Sequence, residues 1–124
     1  MENDRPERTD DDGPTFDGLV RVLCDQDRRI ALFYLLEHER ATVDELADVI
    51  SGWTHAAEGT VATPADRTRV VASLRSVHLP LLEDSNLVRS DPQSGEVQLS
   101  TLSGQYRTFV EWCAAVETRL APSI

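Results

Sequence analysis

Arg69 and Arg75 stand in a stretch, from Arg67 to Leu82, that contains no Asp or Glu, although acids recur about every six residues elsewhere. A guanidinium carries five donors in a planar fork, which suits it to phosphate oxygens and to the O6/N7 edge of guanine. Thr68, Ala72 and Ser76 lie in the same stretch. Their short side chains would let a helix with this pattern come close to a DNA duplex. Arg89, and Arg28 or Arg29, are further candidates for contact with a phosphate backbone. The alternative for each is an ordinary solvated arginine paired with a nearby carboxylate.

Other reactive side chains are sparse. His38, His55 and His78 lie far apart, without the spacing of a metal site or a catalytic triad. His78, beside Leu79-Pro80, is expected to hydrogen-bond backbone at a helix junction. Cys24 and Cys113 stand alone, without CxxC spacing, in stretches that look like apolar helix faces. They read as reduced core residues, because a buried thiol packs as a small hydrophobe. Neither catalysis nor a metal or other cofactor is expected.

The elements that must position the arginines follow from periodicity. Residues 1–14 carry charge, Pro and Gly without apolar periodicity and read as a disordered acidic tail. Phe16, Leu19, Val20 and Leu23 predict a first helix reaching about Cys24. Asp25 to Asp27 supply caps for a second, ending near residues 38–40. A short strand is possible at 41–43. Thr42 and Glu45 have capping-box spacing and open a third helix over about 43–51. Residues 52–61 read as a long loop that Trp53 pins to the core. Thr63-Pro64 starts a fourth helix over 64–77, since Pro costs no bond at the first helical position. Its buried stripe would be Val70, Leu74, Val77 and Leu81, which leaves Thr68, Arg69, Ala72, Arg75 and Ser76 outward. Pro80 should kink or restart it, and Asn86 can stop it in a left-handed conformation. Residues 87–90 and 96–100 alternate like two strands around an Asp91–Gly95 turn.

Helices, a hairpin and a closing helix in this order predict a mostly α fold with a small β-hairpin, a winged helix-turn-helix over 15–100. The helix at 43–51 would pair with the reading helix at 64–77. Leu102, Tyr106, Phe109, Cys113, Val116 and Leu120 then form one heptad-like stripe on a helix near 103–120. That stripe needs a partner surface, either a second copy, with Trp112 near the seam, or the chain's own domain. The reading adopted is dimerisation through residues 101–124.

Composition sets the surroundings. The 124 residues suit one domain plus a tail. Asp and Glu number 22 against 12 basic residues, every one of them Arg, for a net charge of −10. A Lys-free, carboxylate-rich surface suggests selection in molar salt, where the Debye length falls to roughly 3 Å and self-repulsion is screened. An acidic chain is otherwise a poor partner for nucleic acid. No apolar run nears the ~20 residues of a membrane span and no signal segment opens the chain. A cytoplasmic protein is expected, with no small-molecule ligand evident.

Particular runs also carry a resemblance. They are Asp27-Arg28-Arg29, Leu35-Leu36-Glu37-His38, Thr42-Val43-Asp44-Glu45-Leu46-Ala47, Arg69 to Leu74, and His78-Leu79-Pro80 through Val88. In these, over about residues 20–100, the chain resembles a haloarchaeal winged helix-turn-helix family of unknown function whose members are taken to be transcription regulators. Asn86 departs from the Gly that relatives tend to carry, and Asn tolerates the same backbone conformation. The resemblance implies fold and regulation, and brings no catalytic or ligand-binding residues. Double-stranded DNA is therefore the expected partner of a homodimer. The rival is a winged-helix docking module that binds protein and not DNA.

Overall fold

The computed structural model describes residues 13–120. Most of the expected acidic tail, residues 1–12, lies outside the described residues. Its last two members, Gly13 and Pro14, are half-buried, and the Gly13 carbonyl accepts from the Asn86 amide at 3.4 Å.

Local capping sets most boundaries. Helix α1 (Phe16–Leu23) begins at Thr15, whose hydroxyl accepts from the Gly18 N–H at 3.0 Å. Helix α2 (Gln26–His38) begins at Asp25, whose carboxylate accepts from the N–H groups of Asp27 and Arg28. It buries Ile30, Ala31, Leu32, Leu35 and Leu36 at the centre of the domain and stops at Glu39, at φ 70°. Strand β1 (Arg40–Thr42) leads into α3 (Val43–Glu58), where the Thr42–Glu45 capping box forms in both directions, at 3.0 and 2.8 Å.

The expected loop at 52–61 is mostly helix. Gly52 weakens a helix by only about 1 kcal/mol relative to Ala, and Trp53 and Ala56 are half-buried. Packing of α3 outweighs that penalty, and the stop comes at Gly59, at φ 72°. Trp53 thus acts as a residue of α3 and not as the pin of a loop.

Helix α4 (Pro64–Ser73) runs into a π-turn (Leu74–His78) and then α5 (Leu79–Asp84). The π-turn meets the difficulty raised by Pro80. Its wider bonds, such as Leu79 N–H to the Leu74 carbonyl, make room ahead of a residue that has no N–H to give. The wider turn also shifts the buried phase. Leu74 is followed inward by His78, Leu79 and Leu82, whereas Val77, expected in the stripe, is 52% exposed. Asn86 ends the segment in the left-handed region, at φ 61°.

Strands β2 (Val88–Asp91) and β3 (Glu96–Leu99) form the hairpin, closed by Gly95 at φ 74°. With β1 they make an antiparallel sheet in the order β1-β3-β2. The register pairs Ala41 with Val97 and Val88 with Leu99 on the inner face, all four buried. It also aligns Arg40 and Arg89 on either side of Gln98 on the other face.

Helix α6 (Gly104–Leu120) packs back on α2. Among its described side chains Val110 is fully buried, while Leu102, just before the helix, and Tyr106 and Phe109 rest half-buried against the core. A small antiparallel sheet beside mostly helical structure, followed by a closing helix, is consistent with a winged-helix-like arrangement. No helix among the described residues is long and apolar enough to cross a membrane.

Candidate functional site

The outward face of α4 and the π-turn is held in place by a knot of polar side chains. Arg67 reaches from α4 to α3, with its Nε 2.6 Å from Asp48 and Nη2 3.5 Å from Asp44. The Asp48 hydrogen bond raises the guanidinium pKa further above its already high ordinary value. Where α3 ends, His55 Nδ1 lies 2.6 Å from the Thr60 hydroxyl and Nε2 3.3 Å from Asp66. Asp66 also completes the Thr63 capping box. The Thr63 hydrogen bonds, and then the neighbouring His55 and Arg69, hold the Asp66 carboxyl below the usual range. The turn between α3 and α4 is thereby cross-linked on both sides.

On that frame Thr68, Arg69, Ala72, Arg75 and Ser76 are all exposed. The two arginines differ. Arg69 is 73% exposed but pairs with Asp66 one turn back. Arg75 makes no ion pair among the described residues, and it lines a cleft of about 180 Å³ against the hairpin, beside Glu83, Asp91 and Pro92. Thr68 and Ser76 each bond a carbonyl of their own helix, those of Pro64 and Ala72. Arg89 is exposed on β2, without an ion pair among the described residues.

Arg28 is not brought to this surface. Its Nε donates to the Val22 carbonyl at 3.0 Å, Nη2 to the Arg21 carbonyl at 3.3 Å, and Nη1 lies 3.3 Å from His78 Nδ1. It therefore closes the end of α1 and ties it to the π-turn. Arg29 is turned to α6, where Glu117 receives Nε at 2.7 Å and Nη2 at 3.1 Å.

His78 is buried with side-chain partners in place of the expected backbone bond. Its Nε2 is 3.9 Å from Asp25, and donor atoms of His78, Asp25 and Asp27 lie within 4.8 Å of one another. Burial, and then repulsion from Asp25, raises the Asp27 pKa. Arg28 can only donate, so Nδ1 accepts and the imidazole proton sits on Nε2, facing Asp25. A cation would have to displace that proton beside a fixed guanidinium, which makes the trio better suited to a polar contact than to a metal.

A family model described as a domain of unknown function, DUF7344, matches residues 20–98, more than half the chain. The chain belongs to the DUF7344 family. Its matched region runs from within α1 to within β3, so it holds the whole α3–α4 pair and the hairpin up to Gln98, while α6 lies beyond it. No curated protein and no solved structure matches the chain.

Beyond the DUF7344 region, the anticipated stripe is half-buried throughout its described members, Leu102, Tyr106, Phe109, Cys113 and Val116, and the side chain of Leu120 lies outside the described residues. Exposed apolar groups lie outside the stripe: Trp112 at 63% and, on α1, Phe16 at 53% and Val20 at 40%, besides Val61 at 85% and Val77 at 52%. The Phe16 ring lies 6.0 Å from that of Phe109 and 6.4 Å from that of Tyr106. Phe16 belongs to the apolar periodicity that predicts α1, and it remains exposed although two rings of α6 lie beside it. Two further residues were not singled out for the surfaces they occupy: Arg40, aligned with Arg89 by strand register, and Arg67.

Proposed function

We propose that this DUF7344 chain is a non-enzymatic winged helix-turn-helix protein that binds double-stranded DNA as a homodimer and regulates transcription in the cytoplasm of a halophilic archaeon. The observation that carries the reading is the joint exposure of Thr68, Arg69, Ala72, Arg75 and Ser76 on a helix with no acid between Arg67 and Leu82. Arg75 supplies a guanidinium with no competing ion pair among the described residues. Arg69 must exchange Asp66 for phosphate, and its exposure allows that exchange. Exposed Val77 adds an apolar group of the kind that meets a thymine methyl. Arg89 on the hairpin is the backbone contact, and Arg28 serves the interior.

The dimer contact fits the exposed apolar residues of α1 and α6, Phe16, Val20 and Trp112, better than the half-buried stripe. A two-fold pairing through them would present two reading helices, which a two-fold DNA site spaced by ~34 Å requires. The Arg-only basic set and the net charge of −10 fit work in concentrated salt.

The test is retention of fragmented genomic DNA from the source organism in molar KCl, comparing the native chain with Arg69→Ala/Arg75→Ala. Selective retention of a few fragments, lost in the double variant, is the expected result. If a folded native chain retains none, the rival reading stands. That reading is a protein-docking module, and the Arg69–Asp66 pair together with exposed Trp112 favours it.

A further inference from the structure

A second surface lies away from the reading helix, where α2, α3 and α6 enclose an open cleft of about 420 Å³. That volume falls within the roughly 300–1,000 Å³ of small-ligand sites. Phe33 and Tyr34 of α2 and Trp53 of α3 supply three aromatic rings, and Tyr34 is held by stacking on His38 at 3.9 Å. The charged groups on its wall are two carboxylates, Glu37 and Glu111. Glu37 has no ion pair or hydrogen bond among the described residues, and Glu111 is 3.8 Å from Arg107 and 56% exposed.

We propose that this cleft binds a small lipophilic organic cation, such as a quaternary ammonium or phosphonium carrying apolar substituents. Aromatic faces attract a cation through their negative quadrupole, and the attraction grows as water is removed. Glu37 is exposed on this open cleft, and a neutral apolar ligand seated beside it would take part of the carboxylate's hydration without compensating it. An anion would be repelled by both carboxylates. A cation with an apolar body satisfies the rings and the unpaired charge together. The proposal is independent of DNA binding. If both hold, the ligand would bridge α6 to the helix that supports the reading helix.

Trp53 gives the readout. In a Trp112→Phe chain it is the remaining tryptophan, and its fluorescence can be titrated with tetraphenylphosphonium and with tetraphenylborate, ions of like shape and opposite charge. The expected result is saturable one-to-one quenching by the phosphonium and binding of the borate at least about tenfold weaker. Glu37→Gln should weaken the phosphonium about tenfold, while Glu58→Gln, which removes an equal charge from the exposed end of α3, should leave it unchanged. Absence of saturable quenching, equal binding of the two ions, or equal loss in both glutamate variants would each overturn the proposal. Circular dichroism of every variant establishes that the comparison is made between folded chains.

Discussion

At the scale of single residues, long-range partners decide which groups remain available to a ligand. Arg28 and Arg75 are the same residue type, yet one is consumed by the carbonyls of Arg21 and Val22 and by His78, while the other stands without an ion pair among the described residues. Their fates follow from neighbours up to 50 residues away, and no local pattern encodes that. The cysteines follow the same logic. Both were expected in the core, but Cys24 is exposed at the end of α1 and Cys113 is half-buried on α6, where burial pushes its thiol pKa up. Titration with a chromogenic disulfide at pH 8 should therefore show one fast thiol and one slow one, and Cys24→Ser should abolish the fast phase. Two equally fast phases would contradict this placement.

Elements were legible in the sequence wherever a short-range signal sets them. Thr42 with Glu45, Thr63 with Pro64, Asn86 and Gly95 each act within a few residues, and the boundaries they imply agree with the structure. What the sequence concealed depends on packing. Gly52 looks like punctuation but sits inside α3, because Trp53 beyond it packs against the core. The π-turn arises from the meeting of Pro80 with a helix that must still bury Leu79 and Leu82, and it carried Val77 out to solvent. The expected outward placement of Thr68, Arg69, Ala72, Arg75 and Ser76 agrees with the structure, because that face mostly precedes the π-turn and overlaps it only at Arg75 and Ser76. A Cβ at Gly52 would point into open space. Gly52→Ala should therefore raise stability by about 0.5–1 kcal/mol, measured by urea unfolding. A loss of stability would contradict the helix.

For the whole molecule, α6 lies beyond the DUF7344 region and packs against α2, and the Arg29–Glu117 pair is a polar anchor of that packing. The pair's side chains are 27% and 16% exposed. The Arg29 hydrogen bond holds the Glu117 carboxyl below the usual range. A depressed carboxyl contributes stability above its unfolded pKa and loses it as pH falls through the folded one. Glu117→Gln should therefore cost about 1–2 kcal/mol at pH 7, and the difference from the native chain should shrink steadily as pH falls below about 4.3. A difference independent of pH would mean that the ion pair does not anchor α6. The exposed Phe16, Val20 and Trp112 leave this same end of the molecule open to a second copy. If the proposed homodimer forms through them, Trp112→Asp should lower the molar mass seen by light scattering from dimer to monomer without unfolding the chain, and an unchanged mass would contradict that contact.

The central claim is that one face of the reading helix meets duplex DNA, and site-directed photo-crosslinking tests it most directly. In a Cys24→Ser/Cys113→Ser chain, a photoreactive probe is placed at Ala72→Cys on that face or at Thr108→Cys at an exposed position of α6, and each protein is irradiated with retained genomic fragments in molar KCl. The account predicts covalent protein–DNA product from position 72 and little from position 108. Equal yields, or product from position 108 alone, would contradict it.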